Sequence, residues 1–219
     1  MPPAADPDTM PAPMRVLRIP FSTNVERVAL ALGHKGMAVE WVDVDPTDRS
    51  PVRDLSGQDL VPVLETDHGE VLTESMRIVA WLQSFRPAPP LWPAADPRRT
   101  EVHVFVEWFD RVWKVPPNAI EAELGRPEPD EARIAAWAEQ MHGWLHWFEA
   151  LLEDRDHLMA DGFTAADVCA FPFLKYGVLR RPDDDEPFHQ ILMDRLPIEG
   201  GGFPRLEDWV RRVDERPRA

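Results

Sequence analysis

Cysteine occurs once in the 219 residues, at Cys169, which excludes an internal disulfide and any cysteine-built metal cluster and fits a reducing compartment. Positive charge is also scarce. Twenty-four Lys and Arg against 39 Asp and Glu leave a formal charge of −15, a balance that repels phosphate backbones and anionic membranes. No nucleic acid and no membrane surface is therefore expected as a partner. No apolar run approaches the ~20 residues that a bilayer-spanning helix needs. Residues 1–13, rich in Pro, Ala and Asp, lack a basic start and an apolar stretch, so they read as a flexible tail without a secretory or mitochondrial signal. A soluble, cytoplasmic protein is the expectation.

The length fits one large domain or two small ones, and the pattern along the chain favours two. Residues 14–20 (MRVLRIP) alternate as a strand, a turn follows at Phe21-Ser22-Thr23-Asn24, and 25–34 repeat with helical period to a basic last turn and Gly36. A second strand, 39–44, follows, and strand, helix, strand in that order implies a parallel pair. Residues 45–59 read as a loop with a short helix. Residues 61–65 and 70–72 flank Asp67-His68-Gly69 as a hairpin, and a helix over 75–85 completes an α/β domain spanning 14–86. Pro62 at the entry to a strand suggests a cis bond or an N-H-free position facing a ligand.

Prolines at 87, 89, 90, 93 and 97 mark a linker over 87–98, and 99–219 reads as all-α, with helices at 100–115, 130–154, 164–179 and 204–215. Thr164 and Asp167 have the spacing of a capping box, flanked by Phe163 and Val168 at staple positions.

Four segments together resemble the cytosolic glutathione S-transferases: FSTNVERVALAL (21–32), VPVL (61–64), TESMRIVAWL (73–82) and GFTAADVCAFPFL (162–174). The resemblance runs from about residue 14 to residue 212. It implies a thioredoxin-like N-terminal domain with Pro62 as a cis-proline, an all-helical C-terminal domain whose surface completes a substrate cleft, a homodimer, and glutathione as co-substrate. In that family the catalytic residue precedes a first-helix arginine by five positions. Arg27 then places the slot at Ser22, similar to the serine pattern of the tau and zeta classes. Thr23 stands where proline is common, so a second hydroxyl is available beside the first, and Ser56-Gly57-Gln58 replaces a frequent Asn-Pro. No cysteine occupies the slot, which argues against thiol-disulfide exchange.

A free thiol titrates near pKa ~8.5, so a site that uses it must stabilise the thiolate. Ser22, at a helix start, can donate to the sulfur; the plainer reading of the same residue is an N-cap. Glu74 can pair with the ammonium of a γ-glutamyl group while Ser75 and neighbouring N-H groups take its carboxylate; the plainer reading is an acidic N-cap. The backbone of Val61 can bond an extended peptide as an added strand, with Pro62 beside it. Trp108 and Trp113 are the candidates for a wall around a small hydrophobic electrophile, although an aromatic stripe at helical spacing is more often core. His142 and His146 are spaced i, i+4 but lack a third ligand, so no metal is expected. The acidic run 183–186 reads as a solvated loop and Cys169 as an inert core residue. The function expected is a transferase that activates glutathione for attack on such an electrophile or for isomerisation. The alternative is a non-catalytic binder on the same fold.

Overall fold

The computed structural model describes residues 13–159, 162–181 and 183–219; all of the expected tail except Pro13 lies outside them. The chain divides into two units, one running to Arg86 and including Arg218 and Ala219, the other Pro87–Pro217.

In the first unit the elements are β1 (Arg15–Arg18), α1 (Thr23–Lys35), β2 (Glu40–Asp43), α2 (Ser50–Ser56), β3 (Val63–Glu65), β4 (Val71–Leu72) and α3 (Ser75–Phe85). They form a four-stranded sheet in the order β2-β1-β3-β4. β1 runs parallel to β2, with Arg15 opposite Glu40, and antiparallel to β3, with Leu17 opposite Val63. The α1 crossover dictates the parallel pair, and the short turn at Gly69 makes β3 and β4 antiparallel, with Leu64 opposite Leu72. Leu17, Ile19, Val44, Val52 and Val63 pack as one buried cluster. The Val61–Pro62 bond is cis.

Helices α1 and α3 lie side by side and point the same way, as the bonds at their two ends require. At the N-terminal ends, the Ser75 hydroxyl donates to Asn24 Oδ1 at 3.3 Å. At the C-terminal ends the helices cap each other: Lys35 Nζ donates to Gln83 Oε1 and to the Arg86 carbonyl, while the Arg86 guanidinium donates to the carbonyls of Lys35 and Gly36. Cations at helix C-termini oppose the dipole favourably. Even so, burial, followed by the neighbouring Arg86 charge, holds Lys35 below the ordinary lysine value of 10.5. The unfolded chain therefore binds more protons than the folded one in the window just below 10.5, and stability rises with pH through that window. Urea titrations of the protein and of Lys35→Met should show the difference between them moving in favour of the unsubstituted chain as the pH rises toward the unfolded lysine pKa of ~10.4. A constant difference would refute this.

The second unit is helical: α4 (Arg98–Trp108), a π-helical turn (Phe109–Trp113), α5 (Val115–Leu124), α6 (Glu131–Leu151), α7 (Ala165–Leu174), a 3-10 turn (Lys175–Gly177), α8 (Pro187–Arg195) and α9 (Pro204–Asp214). Every residue of α7 is buried, so this helix is the axis of the unit. Its capping box is present as expected, and the Asp167 carboxylate reaches further, accepting from Leu158 N and Trp209 Nε1 as well as from Thr164 N.

Three features differ from the sequence reading. α5 and α8 occupy stretches where no helix was expected. The acidic run is not merely solvated, because Glu186 caps α8 by accepting from His189 N, and Asp184 accepts from His189 Nδ1. The proline-rich stretch is packed: Leu91 and Trp92 are buried, and the Leu91 carbonyl accepts from Ala165 N at 2.7 Å.

Candidate functional site

The parallel packing of α1 and α3 brings two helix N-termini to one edge of the first unit. Each offers first-turn N-H groups and a positive dipole end, an arrangement suited to anionic groups.

Ser22 is the N-cap of α1, half-buried, with extended backbone, and its Oγ accepts from Val25 N at 3.4 Å. That contact uses the oxygen and leaves the hydroxyl hydrogen for another acceptor. Thr23, the first helical residue, is only 6 % exposed, so of the two hydroxyls the one at Ser22 is the more accessible.

At the start of α3, Glu74 has φ 67° and ψ 111°, a left-handed conformation unusual for a residue with a side chain, and it is exposed. Such a backbone costs ~1–3 kcal/mol and persists where the surroundings enforce it. No side chain caps this helix. Its first N-H groups are therefore open to a ligand, next to an exposed carboxylate.

Ser75 is buried and its hydroxyl is committed, accepting from Arg27 at 3.2 Å and donating to Asn24. A ligand carboxylate at this position would meet backbone N-H rather than the Ser75 hydroxyl. Arg27 is 1 % exposed and also donates to Asn24 at 3.3 Å. The sequence reading used Arg27 only to locate Ser22. An arginine on the apolar face of an amphipathic helix was the available signal for its buried role.

The β1–β3 ladder ends at the Leu17–Val63 pair, two residues short of Val61. Neither backbone group of Val61 bonds to another described residue, which leaves a donor and an acceptor for an extended peptide beside the buried Pro62.

In the second unit, Trp108 lines a groove of about 570 Å³ with Phe105, Trp147, Phe148 and Leu151, and with Arg98 and Arg155 among its lining residues. Trp113 does not fit the role expected of it. It is fully buried, stacked on Phe109 at 4.4 Å and edge-on to Phe173 at 5.8 Å. His142 and His146 both pack against Phe203, and no cluster of three or more metal-ligating side chains occurs among the described residues.

Two family models match the chain, "Glutathione S-transferase, N-terminal domain" over residues 17–90 and "Glutathione S-transferase, C-terminal domain" over 112–217. Among curated proteins, glutathione S-transferase 3 of Zea mays is 34 % identical over 71 % of this chain and 74 % of its own length. FtsZ-localized protein A of Caulobacter vibrioides is 28 % identical over 69 % and 71 %. A solved glutathione S-transferase from Methylobacterium radiotolerans, in complex with glutathione sulfonate, superposes with a TM-score of 0.71 at 26 % identity, covering 93 % of this chain and 91 % of that one.

Proposed function

The chain belongs to the glutathione S-transferase family, and from that premise we propose that it binds glutathione at the paired N-termini of α1 and α3 and activates its thiol through Ser22. The observation that carries this reading is the convergence of the two helix starts, locked by the Asn24–Ser75–Arg27 bonds, in a unit that also leaves the backbone of Val61 unpaired.

Glutathione presents three features to such a surface. Its γ-glutamyl ammonium pairs with the exposed Glu74 carboxylate, and its α-carboxylate takes the free N-H groups at the start of α3. Its cysteinyl segment extends along Val61 as an added strand. The sulfur then lies at the start of α1, where the Ser22 hydroxyl donates to it and the helix dipole favours its anion. Serine acts as a hydrogen-bond donor and forms no covalent bond. The thiolate attacks a small hydrophobic electrophile or adds transiently to isomerise a double bond, and Trp108 is the proposed apolar contact for that second substrate. A homodimer in the cytoplasm belongs to the same reading.

The apolar groove also suits a second reading, a protein that sequesters apolar ligands without chemistry. Calorimetric titration with glutathione separates the two. Binding that Glu74→Gln weakens by about 1–3 kcal/mol, the scale of a lost charge-assisted contact, is the expected result. Unchanged affinity in that variant would place the peptide elsewhere, and no binding at millimolar glutathione would favour the second reading.

A further inference from the structure

Between α2 and β3, side chains hold the carbonyls of Gln58 and Asp59 and both backbone groups of Leu60, and neither backbone group of Val61. Gly57 closes α2 in a left-handed conformation, with φ 74°, and its N-H bonds to the Arg53 carbonyl. Arg49 donates to the Asp59 carbonyl at 3.2 Å, and Arg53 pairs with the Asp59 carboxylate at 2.7 Å. The primary amide of Gln58 then grips Leu60 on both sides. Its Oε1 accepts from Leu60 N, and its Nε2 donates to Leu60 O at 2.8 Å and to Ser56 Oγ at 3.1 Å. Ser56 Oγ in turn donates to the Val52 carbonyl at 2.7 Å, anchoring the amide to α2.

The Leu60 carbonyl and the Val61 N-H belong to one planar, trans peptide unit and point in opposite directions. Fixing the carbonyl toward Gln58 therefore aims the Val61 N-H away from it. The Leu60 side chain is 68 % exposed, so packing contributes little to this orientation. We infer that Gln58 is a positioning residue for peptide binding: its amide sets the direction of the Val61 N-H, the donor that meets the cysteinyl carbonyl of glutathione. This rests on the glutathione reading above and adds a residue that does not itself touch the ligand.

A primary amide suits the task because it presents an acceptor and a donor side by side. Glutamate at 58, when ionised, keeps the acceptor for Leu60 N but turns an oxygen against Leu60 O. When protonated it presents both groups again. Calorimetry with glutathione, steady-state kinetics, and amide exchange of Val61 in isotopically labelled protein test the inference.

In the unsubstituted protein glutathione should bind and slow exchange of the Val61 amide. In Gln58→Ala the Kd and the KM for glutathione should rise about tenfold, the scale of one backbone hydrogen bond, while kcat at saturating glutathione stays within about twofold. In Gln58→Glu the loss should be full at pH 8 and shrink as the pH falls to 4, below the ordinary glutamate pKa of ~4.3, with the unsubstituted protein as the control for any change in the ligand. A merely structural role would lower kcat and the melting temperature and show no such recovery. Equal affinity in Gln58→Ala, or a pH-independent loss in Gln58→Glu, would overturn the positioning role while leaving glutathione binding intact. Failure of the unsubstituted protein to bind glutathione would overturn both.

Discussion

Asp167→Ala is expected to destabilise the second unit by at least ~3 kcal/mol, because it leaves the N-H groups of Leu158, Thr164 and Trp209 buried without an acceptor, each at ~1–3 kcal/mol. Against a typical total of ~5–15 kcal/mol, that loss removes much of the unit's stability. The carboxylate is fully buried and ties the α7 start to the preceding loop and to α9. Asp167→Asn should lose more than half as much, since one oxygen is replaced by a donor that faces other donors. Thr164→Ala removes only the hydroxyl that caps Ala166 N and should cost ~1 kcal/mol. Trp209→Phe removes one bond and should cost a similar amount. Urea midpoints read by tryptophan emission give the ranking, since seven of the nine tryptophans follow Arg86. If Asp167→Ala does not accumulate as folded protein, the milder variants still order the series. A midpoint for Asp167→Asn equal to that of the unsubstituted protein would show that the carboxylate does not hold these donors.

The capping box was legible because its physics is local: a threonine and a carboxylate three residues apart satisfy two helix-start donors whatever surrounds them. The contacts with Leu158 and Trp209 come from 9 and 42 residues away, and no window of sequence contains them. The same distinction explains the missed helices. The sequence reading ends one helix at 115 and places none over 116–129 or 180–203. In the fold Pro116, Pro117 and Pro187 sit in the first turns of α5 and α8, where a fixed φ is helical and the absent N-H has no helical partner to lose. Pro204 occupies the same kind of position in α9, and there the apolar period that follows it, Leu206, Trp209, Val210 and Val213, made the helix readable. α8 has weaker amphipathicity and a start hidden in an acidic run.

In the first unit the strand-helix-strand order and the hairpin glycine are enough to derive the sheet. The site is only partly derivable in that way. Ser22, Glu74, Ser75 and Val61 could be placed at element starts from the residues alone. Their shared edge depends on α1 and α3 being parallel, which Asn24–Ser75 and Lys35–Arg86 fix across about 50 residues. Trp113 was misread because the local sequence does not separate a tryptophan on a groove wall from one in the core, and in the fold it is fully buried against Phe109 and Phe173.

Ser22→Ala is expected to raise the pKa of bound glutathione by about one to two units, each unit corresponding to ~1.4 kcal/mol of lost thiolate stabilisation. Two roles meet in this hydroxyl, and the geometry lets them be separated. As a cap it accepts from Val25 N at 3.4 Å, a long contact, so loss of the cap should lower the stability of the first unit by no more than ~1 kcal/mol. As a donor it uses the hydrogen that the cap does not need, and this role is felt only by the ionised sulfur. Affinity for glutathione should therefore change little at a pH where the thiol is protonated. Activity toward a reactive aryl halide should fall by about ten- to hundredfold at neutral pH, following the pKa, and should partly recover at alkaline pH, where the thiol ionises without help. Thr23→Val, which removes the neighbouring hydroxyl without changing shape, should leave the pKa in place, because Thr23 is nearly buried. Ultraviolet titration of the bound thiolate in the two variants decides the assignment. A shift in Thr23→Val but not in Ser22→Ala would transfer the role to Thr23, and a shift in neither would leave the free N-H groups and dipole of α1 as the source of activation.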